Sequence, residues 1–300
     1  MKNLIWFKDA IVSRENAQLS PMSATAQYGI NVFEGMRAYI AENNKLAIFR
    51  YYEHMARLQS SINIFGNSDK IDSESILEKI VEVIEANSFK EDIAIRVVFM
   101  NTNEVSWSSK SPLDLLIAPI IKGRTLSNGE SGVSACLVST SRISNNSIPP
   151  QIKSGANYLN SRYGQLEAEL FGFNTCIFIN ELGFISEAPG SNVFIVKNNI
   201  LYTPHASNGI LKGITRDTII DLARNCLKLQ VVEENLTRYD ILNADEIFLC
   251  GSAMEIVSVN RINHIKLISQ ACVKLIEKEY FAHVRGMNKC IHNNWLTYVQ

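Results

Sequence analysis

Lys153 stands where its residue type could do covalent chemistry. The segment QIKSGANYLNSRYG places it between Pro149-Pro150 and the small residues Gly155 and Ala156, just ahead of a predicted helix. The amino end of a helix favours anions over an ammonium group, so a lysine held there and partly desolvated is pushed toward its neutral form. A neutral amine can attack a carbonyl carbon and form a Schiff base. The alternative interpretation is a solvated loop lysine.

Glu187 is a second candidate, since a carboxylate in a cleft can hold a cationic partner. It lies in GFISEAPGSNVFIV, between two predicted strands and just before Pro189-Gly190. An exposed turn carboxylate is the alternative interpretation.

Two turns offer backbone amides that suit an anion. In LKGITRDTIIDLA, Gly213 precedes a predicted helix whose first amides, at Ile214 and Thr215, have no partner within the helix. In EIFLCGSAMEIVSV, two strands meet at Gly251-Ser252-Ala253, which adds a hydroxyl group. A turn of this kind also commonly begins a helix or connects the strands of a hairpin, so neither turn alone identifies a ligand.

Composition and charge favour a globular protein that acts on a small polar molecule. The 300 residues are 46% hydrophobic and 20% charged, and the formal net charge is -1. No Lys/Arg-rich block indicates a nucleic-acid or membrane-surface partner. No apolar run approaches the roughly 18 residues of a membrane helix, and the N-terminal apolar run ends at Lys8-Asp9, too soon for a signal peptide. We expect a cytoplasmic location.

Six cysteines are scattered along the chain, at positions 136, 176, 226, 250, 272 and 290. They form no CxxC motif and no Cys/His pair at metal-ligand spacing. The pattern therefore predicts reduced thiols, no disulfide framework and no metal site.

Alternation and helical spacing predict strands and helices in the first third of the chain. LIWF and AIV form a probable hairpin, and KLAIFR, IAIRVVFM and LDLLIAPII are further strands. Residues 53–65 and 72–87 show helical spacing of apolar residues, and serines at the start of the second segment suit an N-cap.

A polar, glycine-containing segment at residues 121–132 predicts a linker. We therefore expect an α+β protein of two domains, 1–120 and 133–300, with the candidate residues in a cleft between them. The second domain should contain a helix from about Tyr158 to Phe171 that Gly172 closes, and the hairpins TCIFIN/FISE and NVFIV/ILYTP.

Taken together and in order, these segments resemble the branched-chain amino-acid aminotransferases, which are fold-type IV (class IV) pyridoxal-phosphate (PLP) enzymes. The similarity covers most of the chain and lies in YGINVFEGMRAY, FRYYEHMARL, KSGANYL, ISEAPGSNVF, KGITRD and GSAMEI. It implies a smaller N-terminal α/β sandwich domain, a larger C-terminal β-barrel-like domain with surrounding helices, and pyridoxal 5'-phosphate as cofactor.

The resemblance also implies roles at the cofactor. Lys153 matches the lysine that binds the cofactor covalently and moves the substrate proton, Tyr158 the tyrosine at its phenolic oxygen, and Glu187 the carboxylate at its pyridine nitrogen. The residues that match the phosphate site are Arg57, Ile214, Thr215 and Ser252. A solvent-facing helix residue is the alternative interpretation of Arg57.

The substrate site implied by the resemblance is one pocket that admits glutamate and a branched-chain L-amino acid in turn, together with the matching 2-oxo acids, in a ping-pong Schiff-base mechanism. Its wall matches Tyr28, Phe33, Arg37 and Arg96, and the turn at Ser252-Ala253 holds the α-carboxylate. Arg96 corresponds to the arginine that meets the side-chain carboxylate of glutamate; a structural salt bridge is the alternative.

Three positions depart from the family pattern. Ala94 replaces a usual tyrosine, IIKGRT lacks the aromatic residues expected after LLIAP, and Pro189 occupies a small-residue position. The loss of two aromatic hydroxyls predicts a wider pocket and a specialised 2-oxo acid acceptor.

Three other functions compete with this interpretation. A D-amino-acid or (R)-amine transaminase has the same fold, aminodeoxychorismate lyase uses the same lysine for an elimination, and a non-enzymatic interaction protein would need no lysine at all. YGINVFEGMR and the pair Arg37 and Arg96 favour branched-chain transamination. The resemblance further implies a homodimer or higher homo-oligomer, with Tyr28 and the loop near Trp107 reaching the neighbouring subunit's site.

Overall fold

A seven-stranded antiparallel sheet, here the N-terminal sheet, is built from the first third of the chain and one C-terminal strand. The computed structural model describes residues 3–125, 132–288, 290 and 294–299. The strand order is β15-β4-β3-β5-β6-β1-β2. The strands are β1 (Leu4–Phe7), β2 (Ala10–Ser13), β3 (Asn31–Ile40), β4 (Leu46–Phe49), β5 (Ile93–Met100), β6 (Asp114–Ile121) and β15 (Leu296–Tyr298).

Helices α2 (Tyr51–Phe65) and α3 (Ser73–Asn87) cover one face of this sheet, and the short α1 (Ala24–Tyr28) precedes β3. The predicted apolar face of α2 is confirmed, because Met55, Leu58 and Ile62 are buried in one core cluster with side chains of β3. The predicted serine N-cap of α3 is wrong. The cap is Asp72, whose carboxylate accepts hydrogen bonds from the amides of Glu74 and Ser75.

An eight-stranded mixed sheet, here the C-terminal sheet, forms the second layer. Seven of its strands follow the order β11-β10-β9-β12-β13-β7-β8, and β14 pairs with β13. The strands are β7 (Val133–Leu137), β8 (Thr175–Ile177), β9 (Asn192–Lys197), β10 (Ile200–Pro204), β11 (Val231–Glu234), β12 (Glu246–Gly251), β13 (Glu255–Ile262) and β14 (Ile265–Lys266). The helices of this part are α4 (Tyr158–Leu170), α5 (Ile214–Asn225), α6 (Arg238–Leu242) and α7 (Ala271–Val284), and 3-10 turns lie at Arg14–Asn16 and Ala206–Asn208.

The predicted hairpin NVFIV/ILYTP is confirmed, and Gly172 takes the left-handed conformation expected after α4. The predicted hairpin TCIFIN/FISE is present, since an antiparallel bridge joins Ile179 to Ile185 and the Ser186 amide donates to the Phe178 carbonyl at 2.9 Å, but it is not a regular ladder and β8 ends at Ile177. The reason is local: the side-chain oxygen of Asn180 accepts the amides of Leu182 and Phe184, each at 3.0 Å, where strand carbonyls would otherwise bind.

The C-terminus does not stay with the second part of the chain, because β15 pairs with β4 at the edge of the N-terminal sheet. Trp295, just before β15, packs edge-on against Phe49, with ring centroids 5.7 Å apart. Residues 126–131 of the predicted linker lie outside the described residues, and the division into two domains at residues 121–132 stays a prediction. Within the described part of the chain, no helix has the length and apolar character that crossing a membrane requires.

Candidate active site

One cavity lies between elements of the two sheets and gathers most of the predicted site residues. The N-terminal part supplies side chains from β3, α2 and β5, and the C-terminal part supplies loops, the start of α5 and the β12–β13 turn. The predicted residues that line it are Phe33, Arg57, Arg96, Lys153, Tyr158, Glu187, Ile214, Thr215, Ser252 and Ala253.

The backbone at Lys153 is fixed to the N-terminal sheet. Its carbonyl accepts a hydrogen bond from the Phe33 amide at 2.9 Å, and its own amide donates to Ser61 Oγ at 3.2 Å. A side chain at Gly155 would place Cβ 2.6 Å from the Asn31 Oδ1 atom. The small neighbours predicted to matter are therefore needed because β3 passes close to this loop.

The Lys153 side chain lies among aromatic groups. Its Nζ atom is 3.1 Å from the Tyr158 hydroxyl oxygen and 5.0 Å from the centre of the Phe33 ring. The Phe33 and Tyr158 ring centroids are 5.3 Å apart. An amine and a phenol are thus presented together at an apolar wall, an arrangement that can bind and orient a carbonyl compound.

Glu187 is buried and surrounded by donors. Its Oε1 atom is 2.6 Å from an Arg142 guanidinium nitrogen, and its Oε2 atom accepts from Asn192 Nδ2 and the Leu211 amide, each at 3.0 Å. Burial raises the pKa of Glu187 above its ordinary value, although Arg142 opposes this. A cationic group from a ligand would reinforce the ionised form of the carboxylate.

Arg57 is held by a buried carboxylate that the sequence-based reasoning missed. Two guanidinium nitrogens contact Glu34 at 2.7 and 2.8 Å, and a third donates to the Lys212 carbonyl at 2.9 Å. Burial alone would raise the pKa of Glu34, but Arg57, together with His54 at 2.7 Å, holds that pKa well below its usual range. The sequence did contain a signal for Glu34, because this acidic residue lies on β3 between Val32 and Met36, which are apolar and buried.

The start of α5 forms the anion-binding end of the cavity. Gly213 is the N-cap, and a Cβ atom there would lie 2.0 Å from Asn192 Oδ1. The amides of Ile214 and Thr215 belong to the first helical turn, where no carbonyl within the helix can accept them. Ser252 faces the same cavity from the β12–β13 turn. Amides at a helix start, an arginine fork and a hydroxyl together suit a phosphate group.

Two further lining residues carry buried polar atoms without a partner in the described structure, namely Asn157 Oδ1 and Ser191 Oγ. Buried polar atoms are ordinarily satisfied, so these two indicate a ligand. The whole donor set suits a flat molecule with a carbonyl carbon, a phosphate and a basic ring nitrogen. Asn157, Ser191 and Asn192 lie within the segments KSGANYL and ISEAPGSNVF, although no role was predicted for them, and Arg142 lies outside every matching segment.

The predicted substrate residues divide into two groups. Arg96 is exposed on β5 with its guanidinium 4.6 Å from the Phe33 ring centre, and within the described residues it makes no ion pair. The structural salt bridge considered for Arg96 is therefore not seen. Ala253 lines the cavity, and its carbonyl accepts a hydrogen bond from Thr125 at the end of the linker's described portion.

Arg37 differs from the prediction, because it does not line this cavity. Tyr28 does not line it either, and its expected place at the neighbouring subunit's site stays a prediction. Tyr28 ends α1 with half of its surface exposed. Arg37 is 2% exposed, lies 3.5 Å from Glu255 and donates to the Lys122 carbonyl at 2.6 Å. Its charge is thus directed to the start of the linker and to a buried acid.

Known proteins share this sequence and fold over nearly the full length. The model of a family described as Amino-transferase class IV matches residues 31–262. The branched-chain-amino-acid aminotransferase of Escherichia coli (strain K12) is 33% identical over 291 residues, which are 94% of this chain and 93% of that protein.

Solved structures agree with this similarity. The branched-chain aminotransferase from Thermoproteus uzoniensis with norvaline has a TM-score of 0.93 and 34% identity, with 99% of each chain covered. The branched-chain amino acid aminotransferase from Thermobaculum terrenum in PLP-form has a TM-score of 0.92 and 29% identity, covering 100% of this chain and 99% of the other.

Proposed function

The chain belongs to the class IV aminotransferases and is a pyridoxal-phosphate-dependent transaminase, and from this premise we propose that it transfers the amino group of a branched-chain L-amino acid or glutamate to a 2-oxo acid. The family, the α+β fold, the enzyme class and the cofactor expected from the sequence are confirmed. The observation that carries the proposal is the convergence of Lys153, Tyr158, Glu187 and Arg57 on one cavity.

The residues present fit the cofactor. We propose that the Lys153 amine holds its aldehyde carbon and the Glu187 carboxylate holds a proton on its ring nitrogen. Arg57, Ser252 and the first amides of α5 would bind its phosphate. When bound, pyridoxal phosphate supplies a ring that accepts the electrons left when the substrate Cα loses its proton.

Lys153 would transfer the substrate proton, and Tyr158 would hold the Lys153 amine in position. When the Lys153 amine is not bonded to the cofactor, its Nζ atom would be the base that takes the proton from the substrate Cα and later gives that proton up again. The Tyr158 hydroxyl, 3.1 Å from Nζ, restricts where the amine can point. The aromatic wall of Phe33 and Tyr158 helps exclude water, which keeps these electrostatic interactions strong.

The proposed substrate preference depends on the part of the cavity wall that contains Arg96 and Phe33. Among the described residues Arg96 makes no ion pair, and its guanidinium lies next to the face of Phe33, so a carboxylate side chain and an apolar side chain could use the same pocket in turn. We expect backbone groups at Ser252-Ala253, which line the cavity, to receive the α-carboxylate. Ala94 pairs with Arg37 across β3 and β5 and lies on the same face of β5 as Arg96.

A homodimer is part of the proposal. The outward side of α4 carries apolar residues at helical spacing, namely Leu159, Tyr163, Leu166 and Leu170. An exposed apolar stripe of this kind is typical of an interface between copies. Tyr28 and Trp107 are also exposed, as expected of residues that reach a neighbouring subunit.

A donor panel tests the function directly. We expect purified enzyme to transaminate L-leucine, L-isoleucine, L-valine and L-glutamate with 2-oxo acid acceptors. Lys153→Ala should turn over none of them, whereas Lys266→Ala, which changes an exposed lysine, should behave as wild type.

Arg96→Ala should lower kcat/KM for glutamate at least about tenfold more than for leucine, because it removes the partner of the glutamate side-chain carboxylate.

Other outcomes of the panel would contradict the proposal. Turnover of D-amino acids or (R)-amines alone would replace the branched-chain assignment with the alternative transaminases. Pyruvate released from aminodeoxychorismate, without an amino acceptor, would indicate the lyase. Equal losses for glutamate and leucine in Arg96→Ala would remove this arginine from substrate recognition.

A further inference from the structure

A cluster of metal-binding side chains lies where α5 and α7 pack together, outside the active-site cavity. Cys226 is the C-cap of α5, and Glu279 and His283 are one turn apart on α7. One ligating atom from each residue lies within 4.8 Å of the other two. A single ion could therefore contact all three after small side-chain movements.

His283 has an unused ring nitrogen. The residue is 5% exposed, and its Nδ1 atom lies 3.0 Å from the Glu279 carbonyl and 3.4 Å from Glu279 Oε1. Its Nε2 atom is buried and has no hydrogen-bond partner in the described structure. The ring nitrogen beside Glu279 is Nδ1, and a cation bound between that atom and the carboxylate would let both groups contact the ion.

The chain supplies a second thiol next to Cys226. The Cys290 thiol is a hydrogen-bond neighbour of the Cys226 thiol, and its sulfur lies 3.9 Å from the carbonyl of Asn225. A second thiol is therefore available beside Cys226, on the segment that follows α7.

We propose that Cys226, Glu279 and His283 form a structural Zn²⁺ site, and that the exposed Cys290 thiol, which neighbours Cys226 but lies outside this group of three, moves in as the fourth ligand on binding. Thiolate, imidazole and carboxylate are the ligands that zinc takes in tetrahedral sites, and soft thiolates disfavour magnesium and calcium. Four protein ligands leave no open position for substrate. On binding, the thiol protons leave to solvent, so zinc uptake releases protons.

The position in the fold defines what the ion would do. Cys226 lies at the end of α5, whose first turn borders the active site, and α7 leads through residues 285–288 to β15 on the N-terminal sheet. A zinc ion here would cross-link α5, α7 and the C-terminal segment. The site would stabilise the packing of the two parts without entering the reaction.

Cobalt binding to the reduced holoenzyme tests the proposal. After chelator treatment, we expect the wild type to bind one equivalent of Co²⁺ with the visible absorption of a tetrahedral thiolate complex, and Zn²⁺ to displace it and raise the thermal midpoint. Cys226→Ser and His283→Ala should each lose the absorption and the shift. Cys272→Ser should retain both, since Cys272 is a partly buried cysteine at the other end of α7.

Three results would overturn the assignment. The first is a reduced wild type that binds no Co²⁺ or Zn²⁺ after removal of the chelator. The second is a Cys226→Ser variant that binds metal as the wild type does. The third is a Cys226–Cys290 disulfide, found by peptide mapping without reductant, in a protein whose reduced form shows no metal uptake.

Discussion

At the scale of single residues, the site depends on ion pairs in which each charged side chain has a partner of opposite charge. Glu187 is bound by Arg142 and Asn192, and Arg57 is bound by Glu34. The cationic and anionic groups that we propose meet the cofactor are thus each held in one orientation by a buried partner. Such partners set geometry, which matters because reacting groups must be held within a fraction of an ångström.

Glu187→Gln separates the chemical role of the carboxylate from its structural role. We expect the cofactor to remain bound but the turnover number to fall by about 100-fold, as when a single charge-stabilising group is removed. The unfolding free energy should also fall by about 3 kcal/mol, because Arg142 is left buried without its counter-charge. Single-turnover kinetics and denaturant unfolding measure the two effects.

The double variant Arg142→Met/Glu187→Gln is the control for this prediction. The double variant removes both buried charges, so its unfolding free energy should return toward the wild-type value while its turnover number stays low. Recovery of the turnover number together with stability would mean that Glu187 acts only by holding the fold.

Glu34 predicts a pH-dependent stability. Its pKa is lowered in the folded protein, so folding is favoured above the ordinary glutamate value of about 4.3 and the advantage disappears as the pH falls below it. At pH 7 the unfolding free energy of the wild type should exceed that of Glu34→Gln by about 3 kcal/mol. Urea unfolding of both proteins should show a constant gap from pH 7 to about pH 5 and a narrowing gap from there to about pH 2; a gap that stays constant to the acid end of this range would contradict the paired state of Glu34.

At the scale of elements, three chain segments must meet for the site to form. The Lys153 loop is hydrogen-bonded to β3, α2 brings Arg57 against that strand, and the start of α5 lies against Asn192 of β9. The close approach of asparagine side chains makes the glycines at these junctions necessary. Gly155 and Gly213 are required for space and not for a left-handed conformation, since the φ angle at Gly213 is -70°.

Gly213→Ala tests the junction at α5. The added Cβ would collide with Asn192 Oδ1, so the helix start or Asn192 must move, and with it the phosphate amides or the support of Glu187. We expect the dissociation constant for pyridoxal phosphate to rise at least about tenfold, or 1.4 kcal/mol. Titration of the apoenzyme by fluorescence measures this, and Gly123→Ala, where a Cβ meets nothing within 4 Å, is the control. Equal affinities in the two variants would contradict it.

At the scale of the whole molecule, the two sheets share a core. Tyr39 of β3 and Phe49 of β4 belong to the same cluster as residues of α5 and α7, and β15 returns the C-terminus to the N-terminal sheet. The cavity between the parts is therefore held by packing on its far side. The exposed stripe on α4 is the surface that a second copy would cover.

A change on that stripe should separate the subunits. Leu166→Glu combined with Leu170→Glu places two charges on the proposed interface, and their desolvation opposes association. We expect light scattering after gel filtration to give a dimer for the wild type and a monomer for this variant. Glu169→Gln, on the same exposed turn, should remain dimeric. A wild type that is itself monomeric would exclude the interface.

The sequence alone determined the reaction class and the cofactor, and it predicted the lysine, tyrosine, glutamate and arginine that we propose meet it, because these residues lie in short segments with a recognisable local order. It also predicted most strands and helices, since periodicity is a local property. Only the tertiary structure decided that Arg142 and Glu34 support the charged groups, that Arg37 faces a buried acid, and that Cys226 lies beside His283. Those contacts join residues far apart in the chain, and packing brings them together, which spacing along the sequence does not encode.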